Sequence, residues 1–235
     1  MTNFLLIHGS CHGAWCWRHV IPALKLRGHK VNAIDLPSHG ADGTPICEVT
    51  LDLYAKAILD AVKVPTVVVG HSMAGFPISR AAALDNRMIK RLVFLCAYMP
   101  REGMTLADMR REAPYQPLMQ AVVKSADGLS FTVDPLQTRE VFYHDCSAAD
   151  IAYANTRLCP QAILPQETSI ELGPKFETVP KSYVICSEDH TIPPEYQRQM
   201  AANLPKEDVY EMSTSHSPFF SDPTGLANLL HRIAD

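Results

Sequence analysis

The sequence predicts an α/β fold with a mainly parallel sheet, and three features of the chain point to it. Short apolar runs rich in Val, Ile and Leu recur along its 235 residues. Several lack polar alternation, as strands buried on both faces do. Helical patterns fill the intervals, so strand and helix alternate. Hydrophobic residues make up 47% of the chain, enough for a sizeable core, and the length fits one large domain carrying an insertion.

The strand candidates are "NFLLIHG" (3–9), "HKVNAIDLP" (29–37), "PTVVVGHS" (65–72), "KRLVFLCAYMP" (90–100), "KSYVICSED" (181–189) and "DVYEMSTSH" (208–216). Between the first two, residues 14–28 read as a helix ended by Gly28, a suitable residue just past a helix C-terminus. Trp15 is expected to pack that helix on the sheet. Residues 50–63 follow, with Thr50 as N-cap. A helix over 73–85 leaves the third strand directly. Prolines open the helix at 193–204, and Asp222 is the expected cap of the last one, 222–235. The stretch from 101 to 179 breaks this rhythm. It has no convincing buried strand and carries methionines, aromatics and prolines. It reads as a mostly helical cap inserted before the penultimate strand, so the core comprises 1–100 and 180–235 and the lid 101–179.

Composition narrows the partners. Net charge is −4 and no basic stripe appears, which argues against nucleic acid and anionic membrane. No apolar run reaches membrane-spanning length, and the N-terminus lacks the pattern of a signal peptide. The seven cysteines have no framework spacing and read as reduced thiols in a cytoplasmic protein.

"VVVGHSMAG" (67–75) carries the chemistry. A buried strand runs into Gly70-His71-Ser72-Met73-Ala74-Gly75 and a helix follows, the setting of a nucleophile elbow. The full pattern has glycine at 74; alanine is small enough to replace it. A serine hydroxyl needs a base, and the base needs an orienting acid. In this setting both come later, at strand ends, in the order acid then histidine. "VICSEDH" supplies Glu188 and Asp189, of which Asp189 is favoured on register, and "YEMSTSHSPFF" supplies His216. His190 adjoins the acid and is a poor base; His71 is expected to pack beneath the elbow.

"HGSCHGAWCWRH" (8–19) follows the first strand. Its three histidines and two cysteines match no zinc spacing, and no metal or cofactor is expected. It stands where an oxyanion loop belongs: Gly9 allows the bend, the Ser10 N–H is one donor and the Met73 N–H the other, with His8 and His12 as braces. Gly9, Met73 and Phe219 are the expected walls of the substrate pocket.

With these motifs in view, the chain resembles the plant-type methylesterases and hydroxynitrile lyases of the α/β-hydrolase superfamily. "HGSCHGAWCW", "AIDLPSHG", "VVVGHSMAG", "FLCAYMP", "YHDCSAADIAYANTRLCP", "SEDHTIPPEYQRQMA" and His216 carry the likeness. The resemblance implies an α/β-hydrolase fold, a Ser72–His216–Asp189 triad, oxyanion donors at Ser10 and Met73, and small methyl esters of apolar or aromatic acids as substrates. Homodimers are common in that family. Its lyases usually carry threonine after the loop's first histidine and lysine after the catalytic histidine, where this chain has Gly9 and Ser217. The esterase branch is therefore expected. The alternatives are a hydroxynitrile lyase, or a ligand-binding receptor on a hydrolase scaffold with little turnover.

Overall fold

The computed structural model describes residues 1–234. In chain order the core begins with β1 (Asn3–Ile7), α1 (Val20–Leu26), β2 (Lys30–Ile34), α2 (Leu51–Ala61), β3 (Thr66–His71), α3 (Gly75–Leu84) and β4 (Ile89–Leu95). The segment that follows holds α4 (Leu106–Glu112), β5 (Val122–Lys124), β6 (Ser130–Val133), α5 (Thr138–Phe142), α6 (Ala148–Asn155), β7 (Gln161–Ala162), α7 (Leu164–Glu167) and α8 (Gly173–Thr178). The chain then returns through β8 (Lys181–Cys186), α9 (Pro194–Ala201), β9 (Val209–Met212), α10 (Pro218–Ser221) and α11 (Pro223–Ala234).

Six strands form one sheet in the order β2-β1-β3-β4-β8-β9, and every pairing is parallel. β3 is buried at all six positions, as its Val-rich sequence predicts for a strand covered on both faces. One apolar cluster packs α2, α3 and α9 on one side of the sheet; the other packs α1 and α11 on the opposite side. The strand order reverses between β1 and β3, so the loops leaving these two strands diverge and open a crevice at their C-terminal ends.

Local signals act as the sequence predicts. The Thr50 hydroxyl accepts from Leu53 N at 3.1 Å, and Asp222 Oδ1 accepts from Gly225 N at 2.8 Å. Gly28 follows α1 with φ +80°, a conformation that costs glycine little. The pattern over 14–28 is split, however: Ala14–Trp17 is a 3-10 turn, and α1 starts only at Val20. That break redirects Trp15. It lies half-buried over His12 and Phe220 rather than on the sheet, and Trp17 fills the buried position under the loop.

The segment between β4 and β8 is mostly helical, as expected, with one addition. It contains a three-stranded sheet, β5-β6-β7, with both pairings antiparallel. These strands are only 3, 4 and 2 residues long, too short to leave a period-2 pattern in the sequence. All seven cysteines are free thiols. No helix among the described residues is long and apolar enough to cross a membrane.

Candidate active site

The crevice is built from the loops after β1, β3, β8 and β9. β3 ends at His71, and Ser72 takes φ +57°, a left-handed conformation that a non-glycine residue holds only under constraint. Its carbonyl accepts from Tyr98 N at 3.1 Å, which fixes the turn against the chain leaving β4. The helix α3 starts three residues later, at Gly75, and passes that same chain so closely that a Cβ on Gly75 would lie 1.9 Å from the Tyr98 carbonyl oxygen. Glycine is therefore required at 75, whereas the alanine at 74 is accommodated, fully buried.

The loop after β1 presses on this turn. A Cβ on Gly9 would meet His71 Nδ1 at 2.7 Å and Ser72 Cβ at 2.8 Å, so the bare backbone at 9 is what lets Ser10 approach the serine. His8 and His12 hold the loop. His8 Nδ1 donates to Gly9 O at 2.9 Å while its Nε2 accepts from Leu36 N at 3.0 Å. His12 Nδ1 donates to Ser10 O at 2.7 Å, and its Nε2 accepts from the Tyr143 hydroxyl at 2.7 Å. Burial lowers both imidazoles, His12 to about 4, so both rings are neutral and each nitrogen has one assigned role.

Asp189 and His216 meet from the ends of β8 and β9. Asp189 Oδ1 accepts from Thr191 N at 2.6 Å and Ile192 N at 2.9 Å. Oδ2 accepts from Gln197 Nε2 at 2.8 Å and from His216 Nδ1 at 2.7 Å. The two side chains are 0% and 1% exposed, so the pair works shielded from water. Glu188, the other acid of that loop, is exposed. His190 faces outward and pairs with Glu140 at 2.9 Å.

The elbow and the histidine loop are clasped together. His71 Nε2 donates to His216 O at 2.7 Å, and the two rings lie 4.6 Å apart. The Cys96 thiol points at the same carbonyl at 3.6 Å. Phe142 stacks on the His216 ring at 5.9 Å. His71, buried, is lowered well below the usual histidine range by desolvation and stays neutral, with Nδ1 unpartnered. Among the described residues, Ser72 Oγ and His216 Nε2 have no protein hydrogen bond and do not bond each other. Both are left for a ligand to engage, and such contacts commonly tighten only when substrate is bound.

Other sequence expectations fare differently. Met73 is buried in the main apolar cluster at 2% exposure, with only its backbone at the turn. Phe219 is corrected. It is 0% exposed and packs edge-on against His71 at 5.1 Å and Trp17 at 5.3 Å, so it supports the elbow from below and walls no open space. Of the residues that suggested zinc, His8 and His12 are committed to the loop, and His19 shares Asp150 with Arg18. His71, Cys96 and His216 have ligand atoms within 4.8 Å of one another, but each already serves the histidine clasp.

Three residues of the site have no local sequence motif. Gln197, buried in α9, donates to Asp189 and accepts from Cys186 N at 3.0 Å. Tyr143 reaches His12 across 131 positions. Gln166 of α7 donates to Ser10 Oγ at 3.0 Å across 156. A lone glutamine on the inward face of a helix is the faint signal that could have flagged Gln197.

Comparison with known proteins agrees with this architecture. Methylesterase 1 of Arabidopsis thaliana is 32% identical over 252 residues, covering 99% of this chain and 96% of its own. Methyl jasmonate esterase 1 of Vitis vinifera is 30% identical, covering 99% and 97%. The crystal structure of a pyrethroid hydrolase from Sphingobium faniae superposes with a TM-score of 0.89 at 26% identity, covering 100% of this chain and 97% of that one. Residues 4–229 match the sequence profile described as "Alpha/beta hydrolase family". With the six-stranded parallel sheet and the strained serine turn at its switch point, these matches establish that the chain belongs to the alpha/beta hydrolase family.

Proposed function

We propose that this protein is a serine carboxylic-ester hydrolase that works through an acyl-enzyme on small esters, methyl esters of apolar or aromatic acids among them. The observation that carries the reading is the buried 2.7 Å Asp189–His216 pair clasped to the turn that bears Ser72. Its relatives' names, a methylesterase and a methyl jasmonate esterase, support the substrate class.

His216 takes the Ser72 proton as Oγ attacks the acyl carbon. The Ser10 and Met73 amides receive the oxyanion, and His216 then protonates the departing alcohol. Water activated by the same imidazole releases the acid. Asp189 fixes the His216 tautomer through Nδ1, which leaves Nε2 facing the reaction. Residues 101–179 act as a cap over this site, and 1–100 with 180–235 as the core. The contacts of Gln166 with Ser10, Tyr143 with His12 and Asp145 with Ser215 N tie that segment to the catalytic loops.

The lyase reading is not favoured. Threonine at position 9 would drive its Cβ into Ser72, and the buried Ser217 leaves no ammonium at the place where that chemistry uses lysine. A panel of p-nitrophenyl esters, aromatic methyl esters and mandelonitrile tests the assignment. Sustained release of acid and alcohol by wild type, and none by Ser72→Ala, is expected. Mandelonitrile cleavage exceeding ester turnover, or a single stoichiometric turnover, would contradict it.

A further inference from the structure

Arg110 stands apart from the other partly buried arginines. Arg18, Arg80 and Arg91 each pair with a carboxylate, Asp150, Asp52 and Asp208, and Arg27 donates to Asn228 Oδ1 and the Ala23 carbonyl. Arg110, half-buried near the end of α4, has no ion pair among the described residues, and its buried Nε has no hydrogen-bond partner. The two carboxylates of its own helix are taken, Asp108 by Arg111 and Glu112 by Arg101. A guanidinium left unpaired at partial burial is costly unless something else completes it.

Arg110 lines a cavity of about 350 Å³. Phe131, Ile163, Leu118 and Met119 give it apolar walls, and two further cations line it, Lys124 and Arg111, the latter paired with Asp108. Glu167 also lines it, and among the described residues it forms no ion pair with Arg110. One contact joins this space to the loop beside the serine. Gln166 lines the cavity and bonds Ser10 Oγ at 3.0 Å.

We propose that this cavity receives the acid portion of an ester carrying a second, anionic group, a carboxylate above all, with Arg110 as its counter-ion. The proposal rests on the serine-esterase reading and deepens it. The apolar walls take the carbon skeleton, and the guanidinium offers a planar, forked set of donors that fits a carboxylate. Gln166 touches both the anion's seat and the oxyanion loop. The preferred substrates are thus half-esters of dicarboxylic acids rather than uniformly apolar esters.

The experiment compares monomethyl succinate, glutarate and adipate with the methyl esters of the matching neutral acids, in wild type, Arg110→Gln and Arg110→Lys. The readout is the ratio of kcat/KM for anionic over neutral partners. For an ester bound without turnover, its inhibition constant against p-nitrophenyl acetate gives the same ratio. Wild type should favour at least one anionic ester, and the preference should shrink as salt is raised. Arg110→Gln should lower the ratio roughly ten- to hundredfold, and Arg110→Lys should keep part of it. The wild-type salt series needs no variant and stands even if Arg110→Gln folds poorly. A ratio that is the same in all three proteins and insensitive to salt overturns the anion site while leaving the esterase intact. Failure of wild type on every ester, p-nitrophenyl acetate included, overturns both.

Discussion

His216 Nδ1 and Asp189 Oδ2 lie 2.7 Å apart in a space that neither side chain shares with bulk water. Three further donors, from Thr191, Ile192 and Gln197, fill the carboxylate's other positions, so its direction is set independently of the histidine. Asp189→Asn keeps the shape but presents an amide donor to Nδ1 and reverses the tautomer. It should lower kcat by about 10³–10⁴-fold. Glu188→Gln, in the exposed neighbour, should leave kcat within about twofold. Steady-state kinetics on one ester compares the two.

Gly9 has no room for a side chain against His71 and Ser72. Gly9→Ala should cost about 1–3 kcal/mol in stability, as overpacking does. It should also reduce kcat, because the loop bearing Ser10 must retreat from the serine. Thermal denaturation and turnover on the same sample check both parts; an active variant of unchanged Tm would contradict the close approach.

Tyr143 and His12 form a chain that ends at the Ser10 carbonyl. Tyr143→Phe strands His12 Nε2 without a partner in the interior, at a cost of about 1–3 kcal/mol. If the chain aligns the oxyanion loop, kcat should fall about tenfold with KM little changed, a smaller loss than deleting a donor outright. An equal rise in KM with constant kcat would assign Tyr143 to ground-state binding instead.

Stability should decline in mild acid. Burial holds His12 at about 4 and keeps His8 and His71 well below the usual 6.5. Between those values the unfolded chain binds protons that the folded chain refuses. The stabilisation is therefore complete above about pH 6.5 and drains away as pH falls towards 4. Urea denaturation at pH 7.5, 6 and 5 should give falling midpoints at constant m-value. A flat profile would show that these rings accept protons in the folded state.

How much of this was legible in the sequence depends on how locally each feature is specified. Ser72, Asp189 and His216 each lie within four residues of the end of a core strand, so strand order brings them to one rim of the sheet. Asp189 was separable from Glu188 by its register with α9. The β5-β6-β7 sheet left no trace because its strands are shorter than the window in which alternation can be seen. Phe219 departs from the expected pocket wall because adjacency to His216 says nothing of how α10 turns, and that turn sends the ring beneath the elbow. Gln166, Gln197 and Tyr143 act through contacts that only the folded chain creates, and the unpaired state of Arg110 shows only there.

The central claim is that Ser72 becomes transiently acylated. Intact-mass and peptide mass spectrometry after treatment with a fluorophosphonate tests it most directly. The account predicts one adduct per chain, on the peptide holding Ser72, absent from Ser72→Ala and much slower to form in Asp189→Asn. An adduct that persists in Ser72→Ala, or ester turnover that continues without Ser72, would contradict it.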